Sequence, residues 1–203
     1  MPPLNHAVLS ASSAYRWLEC PPSALATADI QDETTIYAQE GSAAHEMAEY
    51  KIRWHLGEKD LAPPNIGNFN AEEIDRYTDS YAYYATDKIE TIRKICPDAI
   101  VMVEQRLDFS NYVKDGFGTG DLVIVADDVL QVIDFKYGKG VTVLAEHNPQ
   151  MMLYALGALN LYGYLYDIKT VKTAIVQPRL DNISEWEISV DELLEWAENT
   201  LKP

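Results

Sequence analysis

Cysteine is scarce in this chain. Cys20 and Cys96 are the two present in 203 residues, too few for a disulfide framework, and a reducing, cytoplasmic setting is the default expectation. No apolar run approaches the roughly 18 residues that a membrane-spanning helix needs, so no membrane partner is expected. The opening MPPLNHAVLSASSAYRW has no charged stretch leading into an apolar run, so no secretion signal is expected. Internal repeats and low-complexity tracts are missing as well. Basic residues are few: 16 Lys and Arg stand against 32 Asp and Glu, a net charge of −16. Duplex DNA repels such a surface, because nucleic-acid affinity rests largely on Lys and Arg contacts to phosphate. The charge argues against a nucleic-acid partner unless the acids hold metal ions, which reverse the local sign.

Hydrophobic residues make up 47% of the chain, enough for one domain with a buried core. One domain is expected over residues 1–203, with a helical part over about 1–96 and a sheet-bearing core over about 97–203. A helix is predicted over Ser10–Glu19, a short turn over Ser23–Ala28, and a longer helix over Gln39–Leu56, with Gly57 as its stop. Asn70 and Glu73 resemble a capping box for a helix running to about Ile95. The period then changes. Ile100–Leu107, Gly120–Ala126 and Leu130–Lys136 are rich in β-branched residues and bounded by turn residues. Asn148-Pro149 starts a helix to about Tyr166, Thr170–Gln177 returns to strand, Glu185–Ile188 forms a short strand, and Val190–Leu201 a final acidic helix. The fold class is α/β, a mixed central sheet flanked by helices, with extra N-terminal helices.

The stretch QVIDFKYGKG (131–140) puts Asp134 and Lys136 on an otherwise apolar strand, where unpaired charge is costly. Acid-x-Lys alone means little, since it also occurs at Glu49–Lys51 and Asp167–Lys169. Register adds content. A hairpin centred on Asp127-Asp128 pairs Ala126 with Val129, and the same register sets Asp121 opposite Asp134. Without a bulge, Asp121, Asp134 and Lys136 share one face. Two facing carboxylates repel, and a divalent cation would relieve them. The small residues Gly118-Thr119-Gly120 leave room for a ligand or a second backbone. The bland reading is a buried Asp–Lys pair beside a strand-end acid; with Asp121 across the strand, the metal site is the stronger expectation. Gln150 and Tyr154 share a helix face, although each alone reads as an ordinary first-turn amide and a core aromatic. His6, His55 and His147 read as ordinary histidines. His45 follows Gly41-Ser42-Ala43-Ala44, small residues that let its helix approach the sheet, and imidazole suits Mn²⁺ and tolerates Mg²⁺.

GTGDLVIV, VIDFKYGKG and QMMLY, in that order on strand, strand and helix, resemble the PD-(D/E)XK nuclease superfamily. The likeness is to the RecB-like exonuclease branch, which includes AddB-type nuclease domains, and within it to a phage or prophage RecB-like family. SASSAYRWLECPPS, EGSAAHEMAEY and VQPRLDNISEWEI extend it over nearly the whole chain. The resemblance implies a restriction-endonuclease-like core of order α-β-β-β-α-β. It implies metal binding, Mg²⁺ or Mn²⁺, by His45, Asp121, Asp134 and the backbone carbonyl of Phe135. It makes Lys136 the residue that orients the attacking water, and Gln150 and Tyr154 the supporting pair that contacts DNA. Several relatives carry a 4Fe-4S cluster with one cysteine near the N-terminus, matched by Cys20, and three near the C-terminus; this chain has no such trio, so either it is a fragment of a longer protein or the cluster is absent, and a fragment is the expectation because the final helix ends abruptly. The expected activity is hydrolysis of single- or double-stranded DNA ends, in company with phage recombination proteins. The alternative is a DNA-binding module of the same fold with weak or lost catalysis. Arg179 reads as a salt-bridge residue, with a contact to DNA as the less ordinary reading.

Overall fold

Caps delimit most of the helices. In the computed structural model, which describes residues 7–26 and 35–201, a 3₁₀ turn at Ala11–Ser13 leads into α1 (Ala14–Glu19), followed by α2 (Pro22–Ala26). The readings made for His6, for residues 27–28 and for the end of the chain at 202–203 lie outside the described residues. Helix α3 (Ile36–His55) begins three residues earlier than expected, because the Thr35 side chain caps it by accepting the Ala38 N–H at 3.2 Å. It stops at Gly57, whose φ of +106° is cheap only for glycine. Helix α4 (Ala71–Ile95) is capped by Asn70, which accepts the Glu73 N–H. Only that half of the expected capping box forms among these contacts, since the Glu73 carboxylate binds Arg179 instead.

The strands are β1 (Ile100–Asp108), β2 (Phe117–Ala126), β3 (Val129–Phe135), β4 (Thr170–Gln177) and β5 (Asn182–Ser189). They form one mixed sheet in the order β1-β2-β3-β4-β5, in which β3 and β4 are parallel and the other neighbours antiparallel. The parallel pair is joined across the sheet by α5 (Pro149–Tyr162). Asn148 caps α5 by accepting the N–H groups of Gln150 and Met151, and Gly163 ends it four residues before the predicted limit. Helix α6 (Val190–Thr200) opens on a full capping box between Ser189 and Glu192. Among the described residues no helix is long and apolar enough to cross a membrane.

Two apolar cores lie on the two faces of the sheet. Helices α3 and α4 cover Leu122, Ile133 and Phe135, and α5 and α6 with the N-terminal helices cover Val123, Val125, Leu130 and Val132. Phe135 is fully buried and stacks on Tyr81 with ring centroids 4.6 Å apart. Burying a side chain of that size contributes roughly 2–3 kcal/mol.

The β2–β3 hairpin has the expected register: Ala126 pairs with Val129 and Leu122 with Ile133. The β1–β2 pairing runs from Ile100↔Val125 to Asp108↔Phe117 but skips Glu104 and Asp121, which lie between the pairs Val103↔Leu122 and Gln105↔Gly120. At that point the alternation of faces slips. A Cβ on Gly118 or Gly120 would strike Tyr154 or Leu107, so these positions face α5, whereas Leu122, two residues on, lies in the α3–α4 core. In β1, Leu107 faces α5 and Val103 faces α3–α4, with Glu104 between them at φ +52°. A left-handed φ is uncommon for a residue with a side chain and marks the turnover of the strand. Asp121 is thereby turned toward α3.

Candidate metal centre

The slip at Glu104 and Asp121 decides which side chains meet. His45, on the sheet-facing side of α3, places Nδ1 3.3 Å from Asp121 Oδ1. Its ring rests on Phe135 at 5.1 Å between centroids. The other oxygen of Asp121, Oδ2, accepts the Phe135 N–H at 2.6 Å, just past the end of the β2–β3 ladder. Glu104 completes the group. One ligand atom from each of His45, Glu104 and Asp121 lies within 4.8 Å of the others, an arrangement that could hold a metal ion. One imidazole and two carboxylates form a donor set suited to Mn²⁺ or Mg²⁺.

Asp134 and Lys136 form the adjoining network. Lys136 Nζ lies 3.1 Å from Asp134 Oδ2 and donates to Gln150 Oε1 at 2.9 Å. Gln150 Nε2 donates to Asp134 Oδ1 at 3.0 Å and lies 3.1 Å from the Tyr154 hydroxyl. Gln150 is placed by the first turn of α5, and the Tyr154 ring one turn on comes 2.6 Å from where a Gly118 Cβ would stand. The space left by Gly118 and Gly120 is thus filled by Tyr154 and Leu107 rather than by a ligand.

The expectation that Asp121, Asp134 and Lys136 share one face is corrected by the slip. Asp134 and Lys136 reach Gln150 on the α5 side, and Asp121 reaches His45 on the α3 side, from neighbouring ends of β2 and β3. Asp134 is not in the three-residue group, which Glu104 enters in its place. The Phe135 backbone supports Asp121 through its N–H. Glu104 went unnoticed in the sequence; its signal is a lone acid inside the apolar run VMVEQRL. Cys20 is exposed and stands outside the group, and Cys96 is buried and donates to Asp98 Oδ1 at 3.3 Å, so neither joins a cysteine cluster among the described residues.

Electrostatics tie the two networks together. Burial alone would push the His45 imidazole down, but Asp121, with Asp134 and Glu104 behind it, lifts it to about 9. Burial opposes the Asp121 charge, but His45, the Phe135 amide and Lys136 hold its carboxyl below the usual range. Burial and the neighbouring Asp121 charge push Glu104 up to about 7. Burial pushes Asp134 up to about 6, against the pull of Lys136. Burial would lower Lys136, but Asp134 and Asp121 raise it. Two of the three crowded acids, Glu104 and Asp134, are pushed up while Asp121 is held down, and such crowding marks a place where added positive charge is favourable.

An open cleft of about 530 Å³ gives access, lined by Ala38, Gly41, Ser42 and His45 of α3, by Lys136, Tyr137 and Gly138, and by Glu104. The remaining predicted residues fall where the ordinary reading puts them. His55 pairs with Glu90 at 3.2 Å, and His147 packs on Trp186. Glu49 pairs with Arg53 and Lys51 with Asp75 and Asp79, and Lys169 pairs with Asp167 at the surface.

A solved structure titled "Crystal structure of SSO0001" aligns over 92% of this chain and 85% of that chain at 17% identity, with a TM-score of 0.26, too low for the likeness to carry an argument. The profile of a family described as "Protein of unknown function (DUF2800)" matches residues 6–203, nearly the whole chain. The chain belongs to the DUF2800 family.

Proposed function

We propose that this protein is a divalent-metal-dependent deoxyribonuclease that acts as an exonuclease on DNA ends. The observation that carries the reading is the abutment, at one cleft, of a His45–Glu104–Asp121 donor group and a lysine held by Asp134 and Gln150. The order α4-β1-β2-β3-α5-β4 supports a restriction-endonuclease-like core, as do the motifs that resemble the PD-(D/E)XK nucleases. The context that fits is processing or recombination of phage or prophage DNA in the cytoplasm.

His45, Glu104 and Asp121 would hold Mg²⁺ or Mn²⁺. A bound ion supplies a water of lowered pKa and relief of phosphate charge. Asp134 and Gln150 aim the Lys136 ammonium, which is charged at neutral pH and can orient the attacking water and stabilise negative charge beside it. Tyr154 and the α5 N-terminus hold Gln150 in place. Cleavage of the P–O bond by that water gives a phosphate end and a free hydroxyl end.

A second reading is a DNA-binding module of the same fold with weak or lost catalysis, in which other members of a recombination complex would offset the net charge of −16. One experiment separates the two. Wild type, Asp134→Ala and Lys136→Ala are incubated with linear single- and double-stranded DNA and Mg²⁺ or Mn²⁺. Hydrolysis by wild type that stops with chelator and falls by about 10²-fold or more in both variants is the expected result. Activity that survives both substitutions removes this site from consideration, and binding without hydrolysis favours the module.

A further inference from the structure

The tripeptide Gln177-Pro178-Arg179 leaves β4 and has no part in the proposed chemistry. It touches both walls of the cleft. One wall belongs to residues 136–148, a strap without helix or strand that joins β3 to α5. Lys136 starts the strap, and Gln150 follows just beyond its end. Tyr137 and Ala145 toward its two ends are buried, but Val141 and Leu144 are 77% and 57% exposed, so burial of these two side chains does not hold its middle. Gln177 does. It is 2% exposed, and its Oε1 accepts the Val143 N–H at 2.7 Å while its Nε2 donates to the Val141 carbonyl at 3.0 Å. Asn182 Nδ2 donates to Gln177 Oε1 at 2.9 Å and to the Val143 carbonyl at 3.0 Å, and Ser184 Oγ accepts the Ala145 N–H at 2.9 Å. A buried side-chain amide takes the place of a neighbouring strand.

Two residues on, Arg179 holds the opposite wall. Its side chain is 6% exposed and reaches Glu73 of α4 at 2.7 Å and Glu40 of α3 at 3.4 Å. Glu40 directly precedes Gly41 of the cleft wall. The same guanidinium lies 4.5 Å from the centre of the Tyr137 ring, on the strap. Proline between the two, with φ fixed by its ring, leaves little play.

We propose that Gln177 and Arg179 are positioning residues, a brace that sets the gap between the strap and α3 and so aims Lys136. The proposal rests on the nuclease reading and deepens it. A residue that only stabilises the fold would lower the melting temperature without acting selectively on the strap or on turnover.

The test uses the full chain with Gln177→Ala, Arg179→Lys and, should Gln177→Ala fail to fold, the milder Asn182→Ala. Amide exchange over residues 138–147, Mn²⁺ affinity and kcat and KM on linear DNA are measured. Gln177→Ala is expected to lose protection at Val143 and to lower kcat by about 10²-fold with a smaller change in KM. Mn²⁺ affinity stays within about twofold, because the ligands sit on α3, β1 and β2 rather than on the strap. Asn182→Ala acts in the same direction, less strongly. Arg179→Lys keeps the charge but loses the fork that spans Glu40 and Glu73, and raises KM more than it lowers kcat. Unchanged strap protection, or lost protection with unchanged kcat, overturns the brace. If wild type hydrolyses no DNA with either metal, the nuclease reading falls and exchange with Mn²⁺ affinity decides the brace alone: loss confined to the strap sustains it, and loss spread over the fold overturns it.

Discussion

At the scale of the residue, Glu104 sets function against stability. Its left-handed backbone and its half-buried carboxyl, pushed up to about 7, both cost the metal-free fold. Glu104→Gly relieves the backbone and removes the acid. In chelator it is expected to raise the melting temperature by roughly 2–4 °C, as a gain of about 1 kcal/mol would in a chain of this size. With Mn²⁺ present, titration calorimetry should show affinity lower by at least about tenfold. A variant that binds Mn²⁺ like wild type would remove Glu104 from the donor group. Asp121, Asp134, Lys136 and His45 were all readable as candidates, because each charge or imidazole interrupts an apolar or small-residue stretch. Glu104 interrupts one equally, but no short hairpin sets its partner. The 109–116 connection between β1 and β2 has no obvious centre, whereas Asp127-Asp128 centres the next hairpin.

At the scale of the element, the edge of the sheet depends on polar ties. β5 is joined to α4 through Glu185, which pairs with Lys88 Nζ at 2.6 Å and accepts the Tyr84 hydroxyl. These two contacts hold the Glu185 carboxyl below its ordinary value. A depressed carboxyl stabilises the fold above the unfolded value of 4.5, and that contribution is lost as pH falls through the lower folded value. Glu185→Gln is expected to cost about 0.5 kcal/mol near neutral pH, modest because the pair is half-exposed, with the deficit shrinking below pH 4.5. Thermal melts from pH 3 to 7 measure it, and a deficit constant across that range would refute the ion pair as its source. Caps made the elements legible: Asn70, Gly57 and Asn148 each act within one turn of chain. Glu73 departed from its local role because Arg179, distant in sequence, competes for its carboxylate.

At the scale of the whole molecule, charge is the governing number. With a net charge of −16, many of the bases are already engaged: Lys51, Arg53, Lys88, Lys172 and Arg179 all pair with acids. With 32 acids against 16 bases, the remaining cations stand on a surface that repels phosphate. DNA binding measured by anisotropy is therefore expected to be undetectable in chelator and to appear with Mg²⁺ or Mn²⁺. Its dependence on log salt should be no steeper than about −3, the value for roughly three phosphate contacts. A slope near −6 without metal would overturn this account. The sequence by itself determined the order of elements, the β2–β3 register and the charged residues at the strand ends, because periodicity, caps and a two-residue hairpin act over short distances. Only the tertiary structure decided that Asp121 turns to His45 and Glu104, and Asp134 to Lys136 and Gln150. That division arises from a slip in two paired strands and from helices packed on opposite faces of the sheet, neither of which any local stretch of sequence encodes.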